Sequence, residues 1–262
     1  METDSLESFI SYLSSRGLSE NSIKAFAGDI KDFLAFNGTP IEWLNHLKSK
    51  ALTNKTLARK RSSLTLYFRF LGKDIDLPRI KPEDKLPAVL TEVEAKSLLA
   101  EADKTRNPQR DKLIVGLLLK AGLRLSELLN LNVSDVEEDH GITFIRVNQG
   151  KGSKDRRIPL VDKYLIRDLK SYIKRMDQDE RIFNISSRRV QYLIKDIAKK
   201  AGITKNVHPH TLRHTYATMY LKKGVNIESV RKTLGHSSLS TTQRYLQLTD
   251  FDVAQDLERA KW

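Results

Sequence analysis

The sequence predicts a mainly α-helical chain with one small antiparallel β-sheet, an α+β arrangement in its second half, divided into two domains. Three observations predict this. Apolar residues recur at helical spacing through residues 1–74, and the pattern stops in a charged, proline-bearing stretch at 75–88. Helical patterns then resume around a single pair of short β-rich segments. A length of 262 residues fits one large domain or two modest ones, and either is long enough to bury a core.

Residues 1–74 are predicted to form four helices. The second runs from Ile23 to Asn37, the third contains Trp43, and the fourth begins at about Thr53. The polar side of the fourth helix carries four basic residues, Lys55, Arg59, Lys60 and Arg61. A solvated helix face is the ordinary interpretation of such a stripe. Beside a net charge of +13, contact with a DNA backbone becomes the better interpretation.

The stretch from 75 to 88 is predicted to connect the two domains. Pro78, Pro82 and Pro87 stand among charged residues there, a composition typical of an extended, semi-stiff linker. The predicted organisation is therefore a helical domain at 1–74, a linker at 75–88 and a larger domain at 89–262.

The larger domain is predicted to combine helices with one β-hairpin. Thr91 and Glu94 form a capping-box pattern, and a strongly apolar helix follows from Leu113 to Ala121. Ile142–Val147 and Arg157–Leu160 flank a glycine-rich basic tip at 150–154. Further helices are predicted at 162–175, 187–200, 211–223 and 227–234.

Composition excludes several classes of function. Lys and Arg number 46 against 33 Asp and Glu, which favours a polyanionic partner, nucleic acid first and an anionic membrane surface second. The absence of cysteine excludes disulfides, thiolate metal sites and cysteine nucleophiles. The acidic N-terminus does not look like a secretory signal, and the longest apolar run is too short to span a membrane. We therefore expect a soluble intracellular protein that meets DNA or RNA.

Four separated segments carry residues that could do chemistry. They contain Arg124 with Glu127, then Lys151 with Lys154, then His210 with Arg213, and finally His236 with Tyr245. Each has an ordinary structural interpretation when taken alone. Arg124 and Glu127 could form a helix ion pair, Lys151 could be a solvated turn lysine, and Tyr245 could be one more half-buried tyrosine.

Four other chemistries fit these segments poorly. His208, His210 and His214 raise the question of zinc, but the Glu of a zinc-protease helix is absent and Arg213 places a cation among them. The glycines at 150 and 152 lack the spacing of a nucleotide-binding phosphate loop, and no serine-hydrolase elbow is present. Carboxylate clusters for two-metal nuclease chemistry are also missing near the histidines.

The remaining set of two Arg, one Lys, two His and one Tyr suits attack on a phosphodiester without a metal. Rigid guanidinium groups stabilise the negative charge that gathers on the phosphate oxygens in the transition state. A tyrosine nucleophile stores the bond energy in a covalent intermediate, so that resealing needs no ATP. Cations and a nearby histidine favour loss of the phenolic proton, and a lysine can protonate the departing oxygen.

These segments resemble the tyrosine recombinase (phage-integrase-like) family, most of all its Xer branch. Arg124 stands where the family has its first catalytic arginine, and Glu127 at its supporting acidic position. Lys151 matches the hairpin lysine, and His210 with Arg213 matches the His-x-x-Arg pair. His236 lies nine residues before Tyr245, the family's spacing to its nucleophile. The motifs cover the second domain, whereas the first resembles the family only in size and helical character.

The resemblance implies a SAM-like core-binding domain of four helices and a tyrosine-recombinase catalytic domain that together clamp duplex DNA at a specific recombination site. Tyr245 is then the nucleophile that forms a 3′-phosphotyrosyl link, and Lys151 the general acid. Arg124, Arg213 and His236 hold the phosphate, and His210 is an acid–base partner of the tyrosine. Lys154 joins the basic stripe of the first domain as a DNA contact. No cofactor and no metal are implied.

The resemblance also implies a homo-tetramer on DNA that makes and resolves a Holliday junction in the cytoplasm, associated with the nucleoid, to resolve chromosome or plasmid dimers. The amphipathic stretch after Tyr245 either packs on its own domain or is donated to a neighbouring protomer. Membrane partners are not expected, and the need for an accessory factor is left open.

Three rival hypotheses are carried forward. A type IB topoisomerase uses similar residues to relax supercoils, a catalytically silent protein on this fold only binds DNA, and a helix-turn-helix repressor would use the basic helix at 187–200.

Overall fold

The computed structural model describes residues 2–81, 87–148, 155–236, 242–243 and 245. Contacts divide the chain into two compact units, Met1–Lys85 and Leu86–Trp262, and the division falls inside the segment predicted as a linker. The mainly α-helical class with one small antiparallel sheet is confirmed.

Four helices build the first unit. They are α1 (Glu2–Ser15), α2 (Glu20–Phe36), α3 (Pro40–Ser49) and α4 (Asn54–Phe70). The side chains of Ser19, Thr39 and Thr53 each accept a hydrogen bond from the first turn of the helix that follows, which fixes where α2, α3 and α4 begin. The core contains Phe9, Ile30, Trp43 and Leu64, among others.

The chain that leaves α4 continues to pack on this unit. Leu77 is only 3% exposed and belongs to the helical core, with Ile75 and Ile80 packed against it. The guanidinium of Arg61 donates to the backbone carbonyls of Leu77 and Pro78, at 2.9 Å each. The first part of the predicted linker is therefore anchored, because its apolar residues add to the core of the helical unit.

The second unit consists of seven helices and one three-stranded sheet among the described residues. The helices are α5 (Glu92–Ala102), α6 (Pro108–Lys120), α7 (Leu125–Leu129), α8 (Lys163–Ile173), α9 (Ser187–Lys200), α10 (Pro209–Lys222) and α11 (Ile227–Leu234). The strands are β1 (Val136–Asp139), β2 (Ile142–Val147) and β3 (Arg156–Leu160). A short 3₁₀ turn, Val133–Asp135, leads into β1.

The sheet is antiparallel throughout, in the order β1-β2-β3. Ile145 of β2 faces Val136 of β1 on one side and Ile158 of β3 on the other. The predicted pair of strands is present, and β1 is an additional edge strand that the sequence did not predict. The hairpin tip between β2 and β3, which holds Lys151 and Lys154, lies outside the described residues.

Helix α6 forms the centre of the second core. All residues from Leu113 to Leu119 are buried, and Gly116 lets Leu165 of α8 approach so closely that an added Cβ would lie 2.8 Å from its Cδ1. Helix α6 ends immediately before the turn that carries Arg124, so the packing of the core fixes the position of that turn. Among the residues that the structure describes, no helix has the length and apolar character needed to cross a membrane.

Candidate active site

The turn between α6 and α7 positions Arg124. Gly122 adopts a left-handed conformation (φ +64°), and a Cβ there would lie 2.6 Å from the Tyr216 ring. Arg124 then caps α7. Its backbone N–H donates to Glu127 Oε2 at 2.7 Å, and its guanidinium donates to Glu127 Oε1 at 2.7 Å and to the Gly235 carbonyl at 3.1 Å. The turn therefore fixes both the backbone and the side chain of Arg124.

Arg213 enters the same region from α10 and is almost fully buried, at 4% exposure. Its guanidinium donates to the backbone carbonyls of Gly122 and Leu234, which lie just before α7 and at the end of α11. Burial, with the neighbouring charge of Arg124, lowers the pKa of Arg213 to about 10. The guanidinium is therefore still charged at neutral pH.

Glu127 lies among three guanidinium groups. Arg156 of β3 binds both of its carboxylate oxygens, at 3.0 and 2.8 Å, and Arg213 approaches to 3.9 Å, in addition to Arg124. Burial of Glu127 opposes its ionisation, but the hydrogen bonds from Arg156 and Arg124 outweigh it, so the pKa stays below its usual value. One carboxylate therefore orients a cluster whose charge remains positive. Arg156 belongs to this cluster, although no motif in the sequence indicated it.

Tyr245 is buried at 3% exposure, and its hydroxyl lies 2.8 Å from Nδ1 of His214. The His236 ring is nearly parallel to the tyrosine ring, with centroids 6.4 Å apart. His236 Nδ1 is 2.9 Å from the hydroxyl of buried Thr242, and the Tyr245 backbone N–H donates to the Thr242 carbonyl. Burial, with the charges of Arg213 and Arg124, lowers the pKa of His236 to about 4, so the ring is neutral at pH 7.

His210 is an exposed residue in the first turn of α10. Its ring centroid is 6.4 Å from that of His214 and 6.3 Å from that of His208. From the sequence, His214 is considered only as a metal ligand. In the structure it is the histidine in contact with the Tyr245 hydroxyl. Its position next to Arg213 in the motif was the only signal in the sequence.

Arg124 lines a pocket of about 360 Å³, whose other charged lining residues are Glu127, Asp135 and Arg146. A second groove, of about 590 Å³, is lined by Arg188, Tyr192 and Lys195 of α9 and reaches His210. Both cavities carry basic side chains, which suits a polyanion.

The other predicted site residues differ in their surroundings. Lys55 is exposed on α4, whereas Lys60 is buried at 8% exposure, with Nζ 2.9 Å from Asp29 Oδ1. Arg59 is also paired with Asp29, and Arg61 binds backbone carbonyls. The exposed basic stripe predicted for α4 is therefore wrong for Lys60, because a buried carboxylate of α2 pairs with its ammonium group.

A metal site would need several acidic, histidine or cysteine side chains close together. Within the described ranges, no group of three or more His, Cys, Asp or Glu side chains could hold a metal ion.

Comparison with known proteins shows the family to which the chain belongs. Residues 88–251 match the model of the phage integrase family, and residues 6–74 match that of the phage integrase N-terminal SAM-like domain. The chain belongs to the phage integrase family. It is 38% identical to the tyrosine recombinase XerA of Thermococcus kodakarensis, over 98% of this chain and 95% of that protein.

Two solved structures are similar. A crystal structure of a XerA recombinase is 30% identical, with all of both chains covered and a TM-score of 0.58. A XerH site-specific recombinase bound to palindromic difH substrate, in a post-cleavage complex, has a TM-score of 0.75 at 20% identity over 92% of this chain and 80% of that one. At 20% identity, the similarity to the XerH structure shows a shared fold and no more.

Proposed function

We propose that this protein is a site-specific tyrosine recombinase that cuts and rejoins duplex DNA through a 3′-phosphotyrosyl intermediate. One observation carries the proposal. The α6–α7 turn, α10 and the segment after α11 bring Arg124, Arg213, His236 and Tyr245 into one cluster with a net positive charge. A cluster of this composition stabilises a phosphate under attack by the tyrosine hydroxyl.

The two arginines bind the non-bridging oxygens of the scissile phosphate. Their guanidinium groups are held by backbone carbonyls and by Glu127, so little reorganisation is needed when charge develops on those oxygens. If Nδ1 of neutral His236 accepts from Thr242, its Nε2–H is free to donate a further hydrogen bond to the phosphate.

The transfer step exchanges one phosphate ester bond for another. The Tyr245 oxygen forms a bond to phosphorus, the bond to the 5′ oxygen breaks, and Lys151 protonates the departing oxygen. The O–H bond of Tyr245 breaks as the new bond forms, and His210 acts as an acid–base partner of the tyrosine in the loss of that proton. Because the new ester conserves the energy of the old one, neither ATP nor a metal is required. The role of Lys151 rests on its place in the family motif, since the hairpin tip lies outside the described residues.

The assembly is proposed to be a homo-tetramer that exchanges strands between two duplexes through a Holliday junction and resolves chromosome or plasmid dimers in the cytoplasm, at the nucleoid. The relative named tyrosine recombinase XerA supports the recombinase activity that such an assembly would carry out. Strand exchange needs two pairs of active sites, and the amphipathic residues after Tyr245 are the candidate for linking protomers. That stretch, 246–262, lies outside the described residues. Lys55 and Lys154 are proposed to contact the DNA backbone.

A nicked suicide duplex tests the proposal, with the site first recovered by covalent capture from a pool of random-sequence duplexes. We expect the wild-type protein to form a covalent adduct that maps to Tyr245. We expect the Tyr245→Phe variant to bind with unchanged affinity and form none. Adduct formation by Tyr245→Phe at the wild-type level contradicts the nucleophile assignment, and no adduct with the wild-type protein favours the catalytically silent alternative.

A plasmid that carries two copies of the captured site separates recombination from the topoisomerase alternative. Resolved circles support a recombinase, whereas relaxed circles of unchanged size support a type IB topoisomerase.

A further inference from the structure

His214 is a half-buried titratable residue of the site that the proposed mechanism does not use. It lies on α10 next to Arg213, and its Nδ1 is 2.8 Å from the Tyr245 hydroxyl, with ring centroids 5.6 Å apart. A hydroxyl at this distance from an imidazole nitrogen is hydrogen-bonded to it, and the tautomer of the ring decides which of the two donates. The contact joins residues 31 positions apart, so the fold and not local sequence creates it.

The His214 imidazole can accept that proton because the ring is neutral at neutral pH. Burial, together with His210, His208 and Arg213, lowers the pKa of His214 to about 4. His236 also lies beside Tyr245, with ring centroids 6.4 Å apart, and is neutral at pH 7. A neutral ring with hydrogen on Nε2 presents Nδ1 as an acceptor.

We propose that His214 is a catalytic residue whose Nδ1 accepts the proton of the Tyr245 hydroxyl when that oxygen attacks phosphorus. The inference rests on the proposed function and adds a proton acceptor to it. In the step, the O–H bond of Tyr245 breaks and an N–H bond forms on His214. The tyrosine oxygen bonds to phosphorus, and the 5′ oxygen leaves with a proton from Lys151. The proton on His214 then passes to solvent.

A bound phosphate makes the transfer easier. Arg213 is one of the groups that depress the pKa of His214, and the scissile phosphate would lie against Arg213. A negative charge at that point offsets the cation and stabilises the imidazolium. The basicity of His214 therefore rises when DNA is in place.

A first test needs no DNA. The protein has six histidines, so two-bond ¹⁵N–¹H spectra of the ring nitrogens can be assigned by comparison with a His214→Asn variant. We expect His214 to have hydrogen on Nε2 and to lose the hydrogen-bond shift at Nδ1 in Tyr245→Phe. Hydrogen on Nδ1, which would make the ring a donor to Tyr245, overturns the proposal.

The second test follows single-turnover cleavage of the captured suicide duplex between pH 6 and 9.5. We expect His214→Ala and His214→Asn each to cleave about 10²-fold more slowly at pH 7, with DNA affinity unchanged. The defect should shrink as the pH rises towards the ordinary pKa of tyrosine, ~10, because hydroxide then removes the proton. A purely structural role would give a defect that does not recover with pH.

Asparagine separates proton acceptance from simple positioning. Its side-chain oxygen replaces Nδ1 as a hydrogen-bond acceptor but cannot take the proton. Wild-type cleavage by His214→Asn overturns the proposal while leaving the proposed function intact. The matched control is His140→Asn, a 93% exposed side chain in the β1–β2 turn, which should cleave normally. No adduct with the wild-type protein overturns the proposed function itself, and with it the role of His214.

Discussion

Arg156 and Glu127 form a two-point ion pair in which each guanidinium Nη binds one carboxylate oxygen. Both side chains are only 9% exposed. Arg156 also donates from Nε to the Thr233 carbonyl at 2.8 Å, so one side chain of β3 connects α7 to α11. Because Arg156 lies five residues after Lys151, this pair anchors the base of the hairpin that carries the proposed general acid.

We expect Arg156→Ala to lower the free energy of unfolding by about 3 kcal/mol, because it leaves Glu127 buried without its main partner. The neighbouring Arg157 pairs with Asp139 and Glu137 at the surface, so Arg157→Ala should cost less than about 1 kcal/mol. Urea unfolding followed by circular dichroism measures both. An equal loss of unfolding free energy in the two variants would contradict the larger contribution expected of the buried pair.

Gly122 is expected to tolerate no side chain. Gly122→Ala places a Cβ against the Tyr216 ring and also strains a left-handed backbone, whereas Gly141→Ala strains only the backbone (φ +74°). The Gly122 variant should therefore be less stable than the Gly141 variant by about 1–3 kcal/mol. Thermal unfolding of the two proteins gives the comparison, and similar melting temperatures argue against the close contact.

Stability is expected to fall as the pH drops from about 6.5 towards 4. In the unfolded chain the histidines bind protons near pH 6.5, but in the folded protein the pKa values of His214 and His236 are about 4. The unfolded state therefore takes up more protons in this range and is favoured by acid. Urea midpoints at pH 7.5 and 5 should differ less for His214→Asn than for the wild type or His140→Asn. An unchanged difference contradicts the neutral state of His214.

Asp29 is expected to be a principal polar contact of the first unit. It pairs with Lys60 and Arg59 and accepts a hydrogen bond from Ser63 at 2.7 Å. Asp29→Ala leaves the buried Lys60 with the exposed Asp32 and the face of the Trp43 ring, and should cost about 3 kcal/mol. Asp32→Ala, at a side chain 67% exposed, should cost less than about 1 kcal/mol. In a Trp262→Phe background, tryptophan fluorescence during urea unfolding reports on this unit through buried Trp43.

Local patterns in the sequence predicted the elements with strong signals of their own. The bounds of β2, α9 and α11 agree with the prediction, and the capping box of Thr91 and Glu94 begins α5 as expected. Strand β1 was missed because two of its four residues are glutamates, which have low β-propensity, and it forms by pairing with β2. The short helix α7 has too few residues for a periodic pattern.

The site was predictable as far as the family motif reached. It indicated Arg124, Arg213, His236 and Tyr245, which the fold places in one region. Contacts between distant positions were not predictable. Lys60 is buried because Asp29 lies opposite it, and His214 meets Tyr245 only once the chain has folded. Periodicity gives the face of a helix, but not the partner that a charged residue finds there.

Three guanidinium groups that share one carboxylate have a practical consequence for anyone who handles this protein. Sulfate, phosphate and other multivalent buffer anions should occupy the cluster in competition with nucleic acid. Dissociation constants for DNA measured in such buffers would be too large. Chloride or acetate at matched ionic strength is the better medium.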